Sequence, residues 1–422
     1  MTRASYAREL QTAMVFPLAA ALIEGGVVGI LARKAFGAGP VIFATLMAAP
    51  MFANLTSVFW ARLARGRPKV RMIIWLKAGL LLALNAIALL PTTINGAVML
   101  TALVVIARCL AAGIITIRST VWRMNYSRSV RARITSRLTL IHTLLIAGGP
   151  LLGYALLDFN SDLFRLLYPL GALIAVFGVD AFSKIRLRRE PELLRREQAD
   201  DEGTTGGGHG FFEVLRTSPL FTRYLGAQFV AGISNMMSEV ALVYAIAVMT
   251  EGIAWEYVIS IALTTTIPKG MATVSLPLWG RLLGRMHVSL YRTRQGVFWV
   301  LAQAGNWIAI TLMMTDTRTS LLGGIAVLAL ARIAQGIARG GGMLAWQIGH
   351  HDFASAEKST AFMGVHQTLT GIRGAIAPFA AMALYAGAFQ WAGIGHHLFL
   401  FTTVLAALAI AGYWDVYRRV KA

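Results

Sequence analysis

Long apolar segments dominate this sequence and limit the folds that are open to it. Of the 422 residues, 57% are hydrophobic and only 14% are charged, whereas about 25% of the residues in a soluble domain are charged. A run of about 20 apolar residues is long enough for one helix to cross a bilayer. We identify twelve such segments, at approximately 12–32, 39–60, 71–91, 96–117, 139–157, 162–182, 226–248, 258–279, 295–315, 320–345, 360–386 and 394–414. The sequence therefore predicts an all-α membrane protein with twelve transmembrane helices.

The basic residues indicate how these helices are oriented. The net charge of +20 does not indicate a nucleic-acid partner, because lysine and arginine concentrate in alternate connections between apolar segments. These basic connections are 62–71, 118–137, 184–196 and 281–294. The connections 90–96 and 157–162 contain no lysine or arginine. By the positive-inside rule, both termini and the central loop are expected on the cytoplasmic side of a bacterial-type inner membrane.

Motifs of enzymes and of metal or cofactor sites are missing from the sequence. The single cysteine, Cys109, excludes a disulfide framework. The metalloprotease, nucleophile-elbow and phosphate-loop patterns do not occur, so we expect no catalytic residue, no metal and no cofactor. The run Gly349-His350-His351-Asp352 is interpreted as loop surface instead of a metal site.

The two halves of the chain repeat each other. Matched residues lie 215, 219 and 224 positions apart, and the pairs are Glu24 with Glu239, Trp60 with Trp279, and Arg108 with Arg332. Such a repeat predicts two pseudo-symmetric six-helix bundles, at 1–183 and 222–422, joined by a cytoplasmic central loop at 184–221. Within that loop, residues 200–208 are polar and glycine-rich and indicate a flexible linker.

Three local patterns resemble those of the major facilitator superfamily. The family pattern G-x-x-x-D-R-x-G-R-R is partly matched by residues 60–69, which keep Gly66 and Arg67 but lack the acid. The family pattern R-x-x-Q-G matches 332–336, and G-P-x-x-G matches 149–153. The resemblance implies a secondary transporter that works by alternating access, with helices 1, 4, 7 and 10 around a central cavity. In the family the Gly149-Pro150 pattern is associated with exporters and antiporters, which favours export, although the direction stays open.

Several ionisable residues fall inside the apolar segments. A charged side chain near the bilayer centre costs about 2.5 to 3.5 kcal/mol on insertion scales, so such residues require a partner, a wet cavity or a ligand. They are Glu24, Arg108, His142, Glu239, Lys269, Arg332, Arg339, His366 and Arg373. All are on helices that the resemblance places near the cavity. Lys77 is expected near the cytoplasmic end of an outer helix, and helices 9 and 12 are expected to carry no charge at depth.

Two carboxylate–arginine pairs are expected. The resemblance implies that helices 1 and 4 are neighbours, which would bring Glu24 to Arg108, and by the repeat Glu239 would meet Arg332. In the functional interpretation, Glu24, Glu239, Arg108 and His366 take part in proton coupling. The solute-binding candidates are Lys269, Arg332, Gln335, Arg373 and Asn235. A purely structural interpretation stays open for each: Arg332 as a partner of Glu239 only, Lys269 snorkelling, Arg373 bound to backbone carbonyls, and His366 as a packing residue.

These observations predict a secondary active transporter, coupled to protons or another ion, that moves a small organic solute with an anionic group across the membrane. The surplus of cations in the second half is the reason for expecting an anion. The competing hypotheses are a transport-inactive receptor or structural homologue of the same fold, and an intramembrane enzyme.

Overall fold

The chain folds into helices throughout the part that can be described. A computed structural model describes residues 2–126, 128–199, 211–315, 317–353, 359–388 and 392–422, and within these ranges it contains no β-strand. The α-helices are α1 (Thr2–Leu22), α2 (Gly25–Lys34), α3 (Pro40–Leu55), α4 (Ser57–Leu63), α5 (Lys69–Ile87), α6 (Ile94–Asn125), α7 (Arg128–Tyr154), α8 (Phe164–Ser183), α9 (Glu190–Ala199), α10 (Phe211–Thr217), α11 (Pro219–Met249), α12 (Glu256–Ile261), α13 (Ile267–Leu283), α14 (Val288–Met313), α15 (Arg318–Ile348), α16 (Ser359–Ala386) and α17 (His397–Lys421).

Nine helices of the described ranges are long and apolar enough to cross a membrane. These candidate spans are Ala4–Lys34, Lys69–Ile87, Ile94–Asn125, Ser161–Ser183, Pro219–Met249, Val288–Met313, Thr319–Trp346, Phe362–Ala386 and His397–Lys421. Large apolar side chains on their surfaces, such as Trp75, Leu82 and Leu173, are more than half exposed. A surface of this kind fits contact with lipid tails, because exposed apolar patches of this extent are rare on soluble monomers.

The three predicted segments that are not among these candidate spans form interrupted or more polar helices. Segment 39–60 is divided between α3 and α4, segment 139–157 lies mostly in the arginine-rich α7, and segment 258–279 includes α12, a π-helical turn at Ala262–Thr266 and α13. The π-turn has a local cause. Pro268 has no N–H and cannot donate to the carbonyl one turn earlier, so the regular helical ladder is interrupted there.

The chain divides into two compact units. The first unit comprises Met1–Gly206 with Gly252–Ile261, and the second comprises Gly207–Glu251 with Ala262–Ala422. Asp158 explains why α12 groups with the first unit. Its two carboxylate oxygens accept the N–H groups of Tyr257 at 2.8 Å and of Val258 at 3.1 Å, at the helix N-terminus where N–H groups lack intrahelical partners. The predicted linker 200–208 lies outside the described residues.

One sequence-based interpretation is only partly right in the second unit. Residues 349–352 were expected to be loop surface; they form a 3₁₀ turn in which His351 and Asp352 are exposed, but Gly349 is buried and His350 is only 5% exposed. Asp352 accepts the N–H of Val288 at 2.6 Å and thereby caps α14. Burial, and next the adjacent His351, lower the pKa of His350. The turn closes the end of an aromatic core that includes Tyr224 and Tyr291.

Candidate functional site

Glu239 is the centre of a buried polar network in the second unit. This residue lies on α11, and three side chains on one face of α15 contact its carboxylate. Arg332 Nη1 donates to Glu239 Oε2 at 3.2 Å, Gln335 Nε2 donates to the same oxygen at 2.5 Å, and Arg339 Nη2 lies 3.3 Å from Oε1. Positions i, i+3 and i+7 share a helix face, so the α-helical period brings these groups together. The predicted contact of Glu239 with Arg332 is therefore present.

Arg332 is held from a second side by backbone oxygens. Its Nε donates to the Leu263 carbonyl at 2.7 Å and its Nη2 to the Thr264 carbonyl at 3.3 Å. In a π-turn the Leu263 carbonyl would accept from the N–H of residue 268, and in an α-helix the Thr264 carbonyl would do so. Residue 268 is a proline and has no N–H. Both carbonyls thus lie where Pro268 offers no N–H, and the guanidinium donates to each of them. Because Arg332 is 0% exposed, its geometry favours anchoring of Glu239 over direct contact with a solute.

A cavity of about 310 Å³ lies beside this network in the second unit. Its lining contains three arginines, three amides and three aromatic side chains, namely Arg292, Arg339, Arg373, Gln228, Asn235, Gln295, Trp299, Trp346 and Tyr413. Among the described residues, no carboxylate lines it. The cavity therefore has a strongly positive wall, which favours an anionic ligand.

Two of these arginines are held by neutral groups. Arg373 Nη1 donates to the Gln228 carbonyl at 2.7 Å. Arg292 donates to Gln295 Oε1 at 3.1 Å and to Tyr224 Oη at 3.4 Å. Each residue is 8% exposed, so both guanidiniums are largely removed from water without their charge being neutralised by these bonds.

The remaining candidates of the second unit are placed differently from one another. Asn235 lines the cavity and accepts from Gln303 Nε2 at 3.0 Å. His366 Nε2 lies 3.1 Å from Gln228 Nε2, and its ring packs edge-on against Trp346. These contacts place His366 behind the cavity wall. Lys269 is half-buried and is not among the residues that line this cavity.

The first unit contains the second predicted pair. Arg108 Nη2 donates to Glu24 Oε2 at 3.1 Å. Glu24 occupies the break between α1 and α2, where it is the N-cap residue of α2 in an extended conformation. Both residues line a cavity of about 240 Å³, together with Lys77, Arg118 and His142. The pair is more open than its counterpart, because its side chains are 17% and 28% exposed.

Sequence reasoning missed a second carboxylate–arginine contact in the first unit. Arg118 Nη2 donates to Glu9 Oε2 at 2.5 Å, and Trp122 Nε1 donates to Glu9 Oε1 at 3.1 Å. Glu9 precedes the predicted first segment and Arg118 follows the fourth, so both were assigned to the ends of helices. The helices extend further than the apolar segments, and the charged extensions pack together.

One lysine contradicts the sequence-based expectation. Lys77, expected near the end of an outer helix, is 2% exposed, and its ammonium lies 4.5 Å from the centre of the Phe16 ring and 4.1 Å from that of Phe182. Arg292 had been included in the basic loop 281–294, but it is buried one turn inside α14. Because it lies near the end of that helix, the expectation that helix 9 carries no charge at membrane depth stays a prediction.

Comparison with known proteins identifies the fold. No protein-family model matches the sequence, and no curated protein matches it. Among solved structures, that of the nucleoside transporter NupG is similar, with a TM-score of 0.66 and 14% identity over 97% of this chain and 99% of that chain. The inward-open xylose transporter XylE from E. coli has a TM-score of 0.65 and 11% identity, over 98% and 96% of the two chains. The structure of a D-xylose-proton symporter has a TM-score of 0.62 and 12% identity, over 98% and 95%. These neighbours are transporters. The described part of the chain is thus all-helical, its apolar helices fit an integral membrane protein, and it shares the fold of these solved transporters.

Proposed function

We propose that this protein is a secondary active transporter that moves a small organic anion across the inner membrane by alternating access. The observation that carries the proposal is the pair of repeat-related contacts, Glu24 with Arg108 and Glu239 with Arg332, each beside a polar cavity of its own unit. Buried carboxylate–arginine contacts next to solute-sized cavities are what a coupled transporter requires. The neighbouring folds belong to transporters of nucleosides and xylose.

The proposed membrane arrangement has twelve spans in two six-helix bundles. The nine apolar helices supply nine of these spans, and the segments that contain α3 with α4, α7, and α12 with α13 supply the others. The bundles are 1–183 and 222–422, and the central loop 184–221 and both termini are cytoplasmic. This arrangement follows from the basic connections and the positive-inside rule.

Coupling to protons follows from the competition for Arg339. This arginine contacts Glu239 at 3.3 Å and also lines the cavity. A proton on Glu239 removes the negative charge that holds Arg339, which leaves the guanidinium available to an anion. Protonation and anion binding then favour each other, and by linkage the effect is reciprocal. Proton and anion therefore move together, and a proton gradient directed inward drives uptake, which is the opposite direction to the export that the Gly149-Pro150 pattern favours.

Reconstitution in proteoliposomes tests the proposal. With a panel of organic anions and an imposed pH gradient, acid outside is expected to drive accumulation of at least one anion. Replacing Glu239 by Gln is expected to abolish the pH dependence while the protein still inserts, whereas Glu251→Gln, an exposed carboxylate beyond the end of α11, changes nothing. If no anion moves in either direction under any gradient, a receptor or structural role replaces the transporter.

A further inference from the structure

We infer that the cavity of the second unit binds a small organic anion that carries a flat ring, with its acidic group against Arg292 and Arg373 and, when Glu239 is protonated, also against Arg339. This inference deepens the proposed function, and it rests on that function only for the movement of the ligand, not for its binding. The ligand class is a soluble aromatic carboxylate or phosphate. Three features of the cavity lead to it: its charge, its aromatic wall and the position of Arg373.

The charge of the cavity requires an anion. Three guanidiniums line it, and only Arg339 contacts a carboxylate among the described residues. The Nε of Arg373 is fully buried and has no hydrogen-bond acceptor in the described part of the chain. Buried cations without a counter-charge are costly, and a planar guanidinium binds carboxylate or phosphate oxygens through parallel hydrogen bonds. An anion in the cavity would supply the missing counter-charge to Arg292 and Arg373.

The walls of the cavity select a flat ring. Trp299, Trp346 and Tyr413 contribute to the lining, and Gln228 and Asn235 supply amide groups beside them. Aromatic rings pack best against other rings in offset or edge-on geometry. A volume of about 310 Å³ is at the lower end of ligand cavities, which range from about 300 to 1,000 Å³. It leaves room for one substituted ring and not for a large conjugate.

Gly232 determines where Arg373 lies. A Cβ at this position of α11 would be within 3.0 Å of three guanidinium atoms of Arg373. The guanidinium therefore rests directly on the helix backbone, where its Nη1 reaches the Gln228 carbonyl at 2.7 Å. Any larger residue at 232 would displace Arg373 while leaving its charge in the protein. A substitution at 232 therefore tests whether binding depends on where the Arg373 guanidinium lies, while the charge itself is kept.

Binding to the full-length protein in nanodiscs of neutral lipid tests the ligand class. The probes for calorimetry are benzoate, phenyl phosphate, their neutral analogue benzamide and the non-aromatic anion cyclohexanecarboxylate. We expect at least one aromatic anion to bind with a Kd at least about tenfold lower than that of both benzamide and cyclohexanecarboxylate. Equal binding of benzamide contradicts the anionic preference, equal binding of cyclohexanecarboxylate contradicts the ring, and no binding of either aromatic anion contradicts both.

Matched variants test the location of the site. Gly232→Ala is expected to weaken binding at least about tenfold. The control is Gly226→Ala on the same helix, whose added Cβ has no atom within 4 Å and which should leave binding unchanged. Arg292→Gln is expected to weaken binding similarly, with the exposed Arg294→Gln as its control. If Gly232→Ala does not fold, the Arg292 pair decides alone. Unchanged binding in folded Arg292→Gln or folded Gly232→Ala overturns the inference.

A lipid headgroup offers the same phosphate chemistry, and a second nanodisc composition distinguishes the two sources. Phosphatidylglycerol in the disc should leave the Kd of the aromatic anion unchanged. If phosphatidylglycerol displaces the anion completely, the cavity is a lipid site and the inference fails. Binding without flux in proteoliposomes overturns the proposed transport but not the binding site. Flux with unaltered kinetics in Arg292→Gln overturns the binding site but not transport.

Discussion

Four oxygen atoms accept hydrogen bonds from the guanidinium of Arg332, two from Glu239 and two from the backbone carbonyls of Leu263 and Thr264. Arg108, its counterpart in the repeat, donates one hydrogen bond to Glu24, and its Nε has no acceptor among the described residues. The two pairs therefore differ in their contribution to stability, although the sequence presents them as equivalents.

Replacing Arg332 by Gln should destabilise the protein far more than replacing Arg108 by Gln. Arg332 is fully buried and the Glu239 side chain is 20% exposed, and removal of one partner from a buried ion pair costs about 3 to 5 kcal/mol. Water reaches both side chains of the Glu24–Arg108 pair, which are 28% and 17% exposed, so loss of this pair is expected to cost less. The measurement is the free energy of unfolding in mixed micelles, from reversible titration with denaturing detergent. Equal losses in the two variants would show that the buried network around Glu239 adds nothing beyond an open ion pair.

At the scale of residues, the sequence predicted which groups pair but not which groups surround them. A carboxylate at membrane depth needs a partner. The family resemblance, which makes helices 1 and 4 neighbours, and the repeat were together enough to pair Glu24 with Arg108 and Glu239 with Arg332. The cavity lining was not predictable in the same way. Arg292 reaches its cavity from a helix expected to be peripheral, and Lys77 is buried between two phenylalanine rings; both placements depend on packing that no local pattern encodes.

At the scale of elements, breaks in helices determine where polar groups become available. Pro268 interrupts the eighth segment, and the π-turn at Ala262–Thr266 precedes it. Sequence alone did not show that the freed carbonyls would face Arg332, because that depends on how α13 and α15 pack. Glu24 was likewise predicted inside one continuous helix, whereas α1 ends at Leu22 and α2 begins at Gly25.

The helix α9 provides a carboxylate to the loop that the family pattern occupies. In that pattern an aspartate stands at the position that Ala64 has here. Glu197 of α9 instead accepts from the N–H of Gly66 at 2.9 Å and from Lys69 Nζ at 2.5 Å. Lys69 also donates to the carbonyl of Ala64. An acid from a separate helix thus contacts the loop whose own acid is missing.

Replacing Glu197 by Gln should release α9 from this loop. The substitution keeps the shape of the side chain but removes the charge that makes its hydrogen bonds to Lys69 and Gly66 strong. Hydrogen exchange of the backbone amides of 190–199 and 64–69 is expected to speed up about tenfold, because one charge-assisted bond contributes about 1.5 kcal/mol. The matched control is Glu192→Gln, whose exposed side chain lies 4.0 Å from Arg189. Equal exchange in both variants would show that Glu197 does not hold the helix.

At the scale of the whole molecule, the apolar segments were sufficient to predict the fold class. Each segment that crosses a bilayer must satisfy its backbone hydrogen bonds internally, which leaves helices as the solution for segments of this length. The number of spans was less well determined than the class, because α7 carries arginines in its first two turns and α13 is only 17 residues long. Helices with such polar extensions or breaks do not contain an apolar stretch long enough to be recognised as a span.

The distribution of charge makes a prediction about the orientation of the chain. Because lysine and arginine concentrate in alternate connections, Thr92 between α5 and α6 should face the outside, and Ser183 at the end of α8 should face the cytoplasm. Both residues are exposed and small, so each tolerates a cysteine. With the single native thiol removed as Cys109→Ala, a membrane-impermeant maleimide should label Thr92→Cys in intact cells. It should label Ser183→Cys only after the cells are permeabilised. The reverse pattern would invert the orientation and place α9, with the carboxylate of Glu197, outside the cell. The basic connections would then have crossed the membrane, contrary to the positive-inside rule.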